Sequence, residues 1–364
     1  MKRLTKLVRL DEQTSSSERH QFDTIIINGR VIDPANSIDG PRDVALAAGL
    51  IARITQPGEI QPSAAREVFD ASGLIVCPGL VDMHAHGFQF VEPIGIDFDE
   101  QCLSRCCTTV VDAGSSGATN FPGFRKFIVE QCQTRVLSML NISMVGAGRA
   151  PPLDGRGAST GSGDLSQMGG GLQSPAHISA AHCVDMINQN RDVIVGIKVA
   201  LARSWASQYP GGYEAGEKAG FAAAREASEL AGVPLMTHHT FSSVPLAECP
   251  GKLRKGDIYT HSLHGFESTI IQPDGSVDPD VLLAKQRGVV FDCGHGTGSF
   301  SWTVAEAALA GGLGVDVIST DIWNGNIEGP VYDLPTVMSK ILSLPGMSLP
   351  EVIRASTLTP AETM

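Results

Sequence analysis

The chain reads as an α/β protein: a (β/α)8 TIM barrel with a small N-terminal β-sandwich portion. Three observations predict this. From Leu74 onward, strand-like apolar runs alternate with amphipathic helical stretches, eight strands in succession, as βα units feeding one parallel sheet do. Polar residues capable of chemistry (His84, His86, Lys198, His238, His261 and Asp321) fall at or near the ends of those runs, where barrel enzymes place their sites. The length of 364 residues suits one barrel of roughly 250 residues with an appendage.

Taken in order, residues 1–21 are basic and then Ser-rich, and a disordered extension is expected there. Residues 22–72 hold short runs such as Thr24-Ile25-Ile26-Ile27 and Ile51-Ala52-Arg53-Ile54. They are broken by Asn28-Gly29, Gly49 and Pro57-Gly58, which reads as a small β-domain with tight turns. The barrel occupies residues 73–364. Its strands are expected at Leu74–Asp82, Thr108–Asp112, Val136–Met144, Val193–Val199, Leu235–His238, Asp257–His261, Val289–Asp292 and Asp316–Asp321. Helices are expected at Tyr213–Ala231, Asp278–Gln286 and Trp302–Ala310, among others. The Gly/Ser-rich stretch from Gly146 to Ser174 is too polar for an element; a mobile lid and plain disorder both fit it.

Composition narrows the class. Hydrophobic residues at 42% can fill a large core, and a net charge of -12 argues against nucleic-acid or anionic-membrane partners. No apolar run reaches the length of a membrane span, and the N-terminus lacks the apolar core of a secretory signal. Eight cysteines without a repeating spacing do not form a disulfide framework, so a reducing cytoplasm is expected.

The chemistry starts at Val81-Asp82-Met83-His84-Ala85-His86-Gly87. Side chains alternate along a strand, so two histidines one residue apart face the same way and can grip one metal ion. With Lys198, His238, His261 and Asp321 the set holds four imidazoles, a carboxylate and a lysine, too many for one tetrahedral ion and about right for two divalent ions, with zinc favoured. An ammonium has no lone pair, but a buried lysine beside cations loses its proton. With carbon dioxide it forms a carbamate whose two oxygens can bridge two metals. His239 adjoins His238 and by alternation aims away, so His238 is the expected ligand. His264 and His295, on loops at the same face, could touch substrate, support the ligands, or simply bond within their loops.

At these residues the chain resembles the amidohydrolase superfamily, in its binuclear, lysine-carboxylated branch. Cys77–His86, Gly196-Ile197-Lys198-Val199, Pro234–His238, Tyr259-Thr260-His261 and Ser319-Thr320-Asp321 carry the resemblance over nearly all of residues 22–364. Asp112–Ala118 and Asp292–Gly296 look most like a deacetylase group often labelled dihydroorotase. The resemblance implies that His84, His86 and Asp321 hold the more buried metal, His238 and His261 the more exposed one, and carboxylated Lys198 bridges them. A shared hydroxide would attack a polarised carbonyl, with Asp321 as general base and then acid.

Two departures bear on function. Dihydroorotases carry an arginine two residues after the second histidine of the first-strand motif, where this chain has Phe88. Family members also continue into strands that complete the small β-domain, whereas this sequence stops at Met364. An incomplete sandwich would leave a sheet edge to be covered by association, so a homo-oligomer or a partner chain is one outcome, and a truncated fragment is another. The expected function is hydrolysis of an acyl amide or ester of a small carboxylic acid by a metal-bridging hydroxide. The alternatives are a cyclic-amide hydrolase of dihydroorotase or hydantoinase type, and a catalytically silent scaffold; a scaffold would have lost ligands that this chain keeps.

Overall fold

A computed structural model describes residues 7–9, 20–92, 94–148 and 171–364. Its internal contacts divide the chain into two units, Met1–Pro78 and Gly79–Met364.

The first unit is one mixed six-stranded sheet. Its strands are β1 (Leu7–Arg9), β2 (Phe22–Asp33), β3 (Ile38–Ala47), β4 (Leu50–Thr55), β5 (Ala65–Asp70) and β6 (Ile75–Val76), in the order β1-β5-β2-β3-β4 with β6 beside β2. Leu7–Arg9 falls in the stretch expected to be a disordered extension; it pairs antiparallel with β5, and the rest of residues 1–19 lies outside the described residues. Ala48 and Gly49 turn the β3–β4 hairpin, both with positive φ, as a two-residue hairpin turn requires. Asn28-Gly29 was expected to break the chain into a turn, but β2 runs straight through it. Asn28 adopts φ 62°, the ladder slips between Ile26 and Gly29, and Asp43 accepts the Asn28 N–H, so the extra residue is taken up as a bulge. Phe22, Ile25, Ala45, Ile60 and Ala65 form the core of this unit. A second sandwich layer is not found among the described residues.

The second unit is built on a curled parallel sheet of seven strands in chain order. These are β7 (Leu80–Ala85), β8 (Cys107–Gly117), β9 (Arg135–Asn141), β10 (Ile194–Leu201), β11 (Leu235–His239), β12 (Ile258–Thr260) and β13 (Val290–Phe291). The expected eighth strand makes only single bridges, but to both edges of the sheet: Val317 pairs with Asp292 after β13, and Ile322 with Ala85 of β7. The run expected as one strand from Leu74 to Asp82 is two. Ile75 and Val76 pair with β2, whereas Leu80 onward pairs with β8; the Pro78-Gly79 pair between them breaks the ladder.

Helices α1 (Phe98–Gln101) and α2 (Phe121–Phe124) are single turns, followed by α3 (Ala180–Gln189), α4 (Tyr213–Ala231), α5 (Pro279–Arg287), α6 (Trp302–Ala310), α7 (Leu334–Leu342), α8 (Leu349–Ala355) and α9 (Leu358–Thr363). Their ends follow the side chains that cap them. Ser179, Asp278, Ser301 and Asp333 accept backbone N–H groups at the starts of α3, α5, α6 and α7, and Gly232 ends α4 in the left-handed conformation. Met83, Val111, Ala113, Leu137, Met139, Met236, Ile258 and Val317 form one buried apolar cluster, contributed by the parallel strands and the bridging segment. Most of the stretch from Gly146 to Ser174, a lid or disorder by sequence, lies outside the described residues.

Candidate metal centre

The first-strand motif depends on a bulge. Between Asp82 and Ala85 the ladder with β8 slips, three residues of β7 spanning two of β8, from Val110 to Asp112. Met83 therefore stays in the apolar cluster while its neighbour His84 lines a polar pocket, a re-aiming that bulges near active sites commonly provide. The pocket has a volume of about 200 Å³, and His84, His86, Lys198, His238 and Asp321 all line it.

The Asp321 carboxylate is the hub. Its Oδ1 lies 3.2 Å from His84 Nε2 and 3.1 Å from His86 Nε2, and its Oδ2 lies 4.0 Å from His261 Nε2. Lys198 Nζ is 2.9 Å from His84 Nε2, and the His238 ring is centred 4.3 Å from that of His261. The six residues expected as ligands are thus drawn together from five elements. The tightest group able to hold an ion is His84, His261 and Asp321, whose ligand atoms lie within 4.8 Å of one another. His86, which the resemblance groups with His84 and Asp321, reaches the same Asp321 oxygen as His84, from the more exposed side.

The donor set fits a metal ion. His84, His86 and His261 each turn Nε2 toward Asp321 and engage Nδ1 elsewhere: with Thr260 Oγ1 (2.8 Å), Ser115 Oγ (3.0 Å) and the Gly294 carbonyl (2.6 Å). A carbonyl can only accept, so His261 Nδ1 carries the proton and its Nε2 lone pair faces inward, as a ligand requires. Burial lowers the pKa of His261 to about 4 and that of His84 well below the usual value, the latter with help from the charge of Lys198. Both are neutral at physiological pH. Burial also lowers Lys198 to about 8, against the opposing pull of Asp321, Asp292 and Asp112. Burial alone would raise Asp321, but the hydrogen bond from His86, with the positive charge of Lys198 nearby, outweighs it and leaves its pKa lowered.

The backbone at the site is strained and over-determined. His261 and Asp321 have φ of 59° and 49°, where residues with a side chain rarely rest. Asp321 N–H donates to the His84 carbonyl, Asn326 Nδ2 donates to the Asp321 carbonyl, and Asp82 holds both the N–H and the hydroxyl of Thr320. Asp112 likewise ties the N–H groups of Gly87 and Ser115 together behind His86. Two glycines make room. A Cβ on Gly114 (φ +89°) would stand 2.8 Å from Lys198 Cβ, and one on Gly296 (φ +51°) 2.6 Å from Asp321 Oδ2.

His264 and His295 do not line the pocket. His264 is buried, stacks on Phe266 and accepts the Phe266 N–H; its pKa is lowered to about 3, chiefly by burial. His295 stacks on Phe300 and bonds the Gly296 carbonyl. Loop bonding, one of the readings open for both, is what the geometry displays. His239 faces away from the pocket, bonded to Tyr259 Oη and the Val244 carbonyl. Phe88 is buried edge-on against Phe124, so it offers nothing to a bound anion. Sequence reasoning passed over Thr260 and Asp82 as site residues, and over Trp205 and Trp323, which line the pocket. Asp82 carried a signal: a carboxylate inside an apolar strand is costly unless fully bonded.

No family model matches the chain. It is 33% identical over 344 residues to a protein named deacetylase from Enterococcus faecalis (strain ATCC 700802 / V583), covering 94% of this chain and 84% of that one. Among solved structures, an adenine deaminase superposes with a TM-score of 0.77 at 31% identity, covering 94% of this chain and 84% of its own. A dihydroorotase superposes with a TM-score of 0.75 at 29% identity, covering 93% and 82%. Fold, site and relatives agree: the chain belongs to the amidohydrolase superfamily. It is a metal-dependent hydrolase of the amidohydrolase type.

Proposed function

We propose that the enzyme removes an acyl group from a small carboxylic acid, with an N-acyl amino acid or an acylated hydroxy acid as the substrate class. We read the second unit as a closed (β/α)8 barrel, its eighth strand being the segment that bridges both sheet edges. Two divalent ions, zinc first, would be held by His84, His86, His238, His261 and Asp321, with Lys198 as its carbamate between them. The observation that carries this reading is the convergence of three imidazoles on the Asp321 carboxylate beside Lys198. When bound, such a metal pair supplies a nucleophilic oxygen at neutral pH and polarises the scissile carbonyl.

The rest falls to the chain's own side chains. A Lys198 pKa of about 8 leaves about one amine in ten neutral at pH 7, enough to capture carbon dioxide. Asp321, ionised because its pKa is lowered, can accept a proton at Oδ2 and return it to the leaving amine or alkoxide. Trp205, Trp323 and Ile94 give the pocket apolar walls that exclude water, and Thr297 and Ser299 bring hydroxyls to its lining. The name of the Enterococcus relative supports deacylation. Phe88, buried where a dihydroorotase would present arginine, weighs against a cyclic carboxylated amide. All eight cysteines are free, which supports a reducing compartment. No described helix is long and apolar enough to cross a membrane.

The test is a screen of the purified, zinc-loaded protein against N-acetyl amino acids, acetylated hydroxy acids and cyclic amides. Release of acetate from the first two groups is expected. Ring opening of dihydroorotate or hydantoins without deacylation would overturn the reading in favour of the cyclic-amide alternative.

A further inference from the structure

Behind the ligand cluster lies a chain of three fully buried side chains to which the reaction assigns no part. Asp292 Oδ2 accepts two hydroxyl protons, from Thr260 Oγ1 at 2.7 Å and from Ser319 Oγ at 2.8 Å. Thr260 Oγ1 also lies 2.8 Å from His84 Nδ1. A hydroxyl has one proton to give, and at Thr260 it goes to the carboxylate. The Thr260 oxygen can then only accept from His84, which places the imidazole proton on Nδ1 and the lone pair on Nε2. His84 Nε2 is the atom that faces Asp321 at 3.2 Å and Lys198 Nζ at 2.9 Å.

We propose that Asp292 is a positioning residue that acts through the Thr260 hydroxyl to lock His84 in the metal-binding tautomer. This rests on the reading of His84 as a ligand. His261 gets the same lock from a backbone carbonyl, which cannot be mutated away; His84 gets it from two side chains, so its lock is separable. Thr260 stands next to His261 in the chain and at the end of β12, and Asp292 follows β13, so the relay ties two strands to a ligand on β7.

Two measurements test it. In metal-free parent protein labelled with 15N-histidine, with His84 assigned by comparison with His84→Gln, His84 should be protonated at Nδ1 and bare at Nε2. The opposite tautomer overturns the proposal and needs no variant that might misfold. The second is zinc affinity by chelator competition. Thr260→Val, nearly isosteric but without a hydroxyl, should weaken one of the bound equivalents about 10- to 100-fold, the usual loss when a ligand's supporting partner is removed. Thr260→Ser should stay within about threefold of the parent. A Thr260→Val protein that binds zinc like the parent, or a Thr260→Ser protein as weak as Thr260→Val, overturns the relay while leaving the metal site intact. Parent protein that binds no zinc overturns the metal reading itself, and the relay with it.

Discussion

Asp321 carries two proposed duties, ligand and proton carrier, and one substitution separates them. Asp321→Asn keeps the shape and one ligand oxygen but cannot take a proton. It is expected to retain most of its metal while turnover falls on the order of a hundredfold or more. Metal content and turnover are to be read on the same sample; parent-like turnover with metal in place removes the proton-carrier role. Lys198 is tested by loss and rescue. Lys198→Ala should lose metal and activity together, because the cluster then lacks the anion proposed for its centre. A short carboxylic acid such as propionate should restore part of both. A fully active Lys198→Ala protein would make the lysine structural.

The strand ends hold these side chains, and their backbone is as specific as the side chains. At the end of β8, Gly114 combines φ +89° with a close approach to Lys198. Gly114→Ala adds left-handed strain and a steric clash, together about 2 kcal/mol or more, and displaces the lysine stem. Gly232 ends α4 at φ +66°, and no atom outside its own turn of chain lies within 4 Å of where a Cβ would stand. Gly232→Ala should therefore cost only about 1 kcal/mol of strain. Denaturant unfolding of the two variants checks the difference. Zinc retention should fall in Gly114→Ala alone; equal effects on stability and metal would mean that the close approach to Lys198 is unimportant.

For the whole molecule, the proposed metal centre predicts that folding and metal binding are coupled. Protein produced with zinc and bicarbonate is expected to approach two equivalents per chain by elemental analysis. Removing them with a chelator should lower Tm, since ligand that binds only the folded state stabilises it by mass action. Metal-free protein should also lose stability as the pH falls. His84, His239, His261 and His264 all have lowered pKa values, about 4 for His239 and His261 and about 3 for His264, each chiefly through burial. Unfolded, all four take up protons near pH 6.5, so their stabilising contribution is lost progressively as pH falls below that value towards the folded pKa values. Asp82 and Asp292 oppose this. Burial raises them to about 7 and about 6, so the folded state holds two protons at pH 5 that the unfolded chain does not. Four imidazoles against two carboxylates leave the unfolded state ahead by about two protons, a slope of about 3 kcal/mol per pH unit near pH 5. Thermal unfolding between pH 7 and 5 checks the sign; a Tm that rises on acidification would show that the carboxylates dominate.

Much of this was written in local sequence. Helix α4 spans the residues its apolar periodicity marks, Tyr213–Ala231, and α6 runs over Trp302–Ala310 as expected, because periodicity and capping act within a few residues. The convergence of His84, His86, Lys198, His238, His261 and Asp321 was legible for a similar reason: each lies in or just after a parallel strand or the bridging segment, and parallel strands bring like ends to one face. What the sequence could not supply was set by groups far apart in the chain. The β7 bulge depends on register against β8. The left-handed turns at His261 and Asp321 persist only because distant partners hold them, and Asn28 became a bulge rather than a turn because Asp43 and a neighbouring strand took up its bonds. His264 and His295 were drawn to the site by type and position, but ring stacking on Phe266 and Phe300 keeps them in their loops. The proton on His84 is the clearest case. It is decided by Thr260 and Asp292, 176 and 208 residues further along, and only the folded sheet brings their oxygens within hydrogen-bonding reach of one another and of that ring.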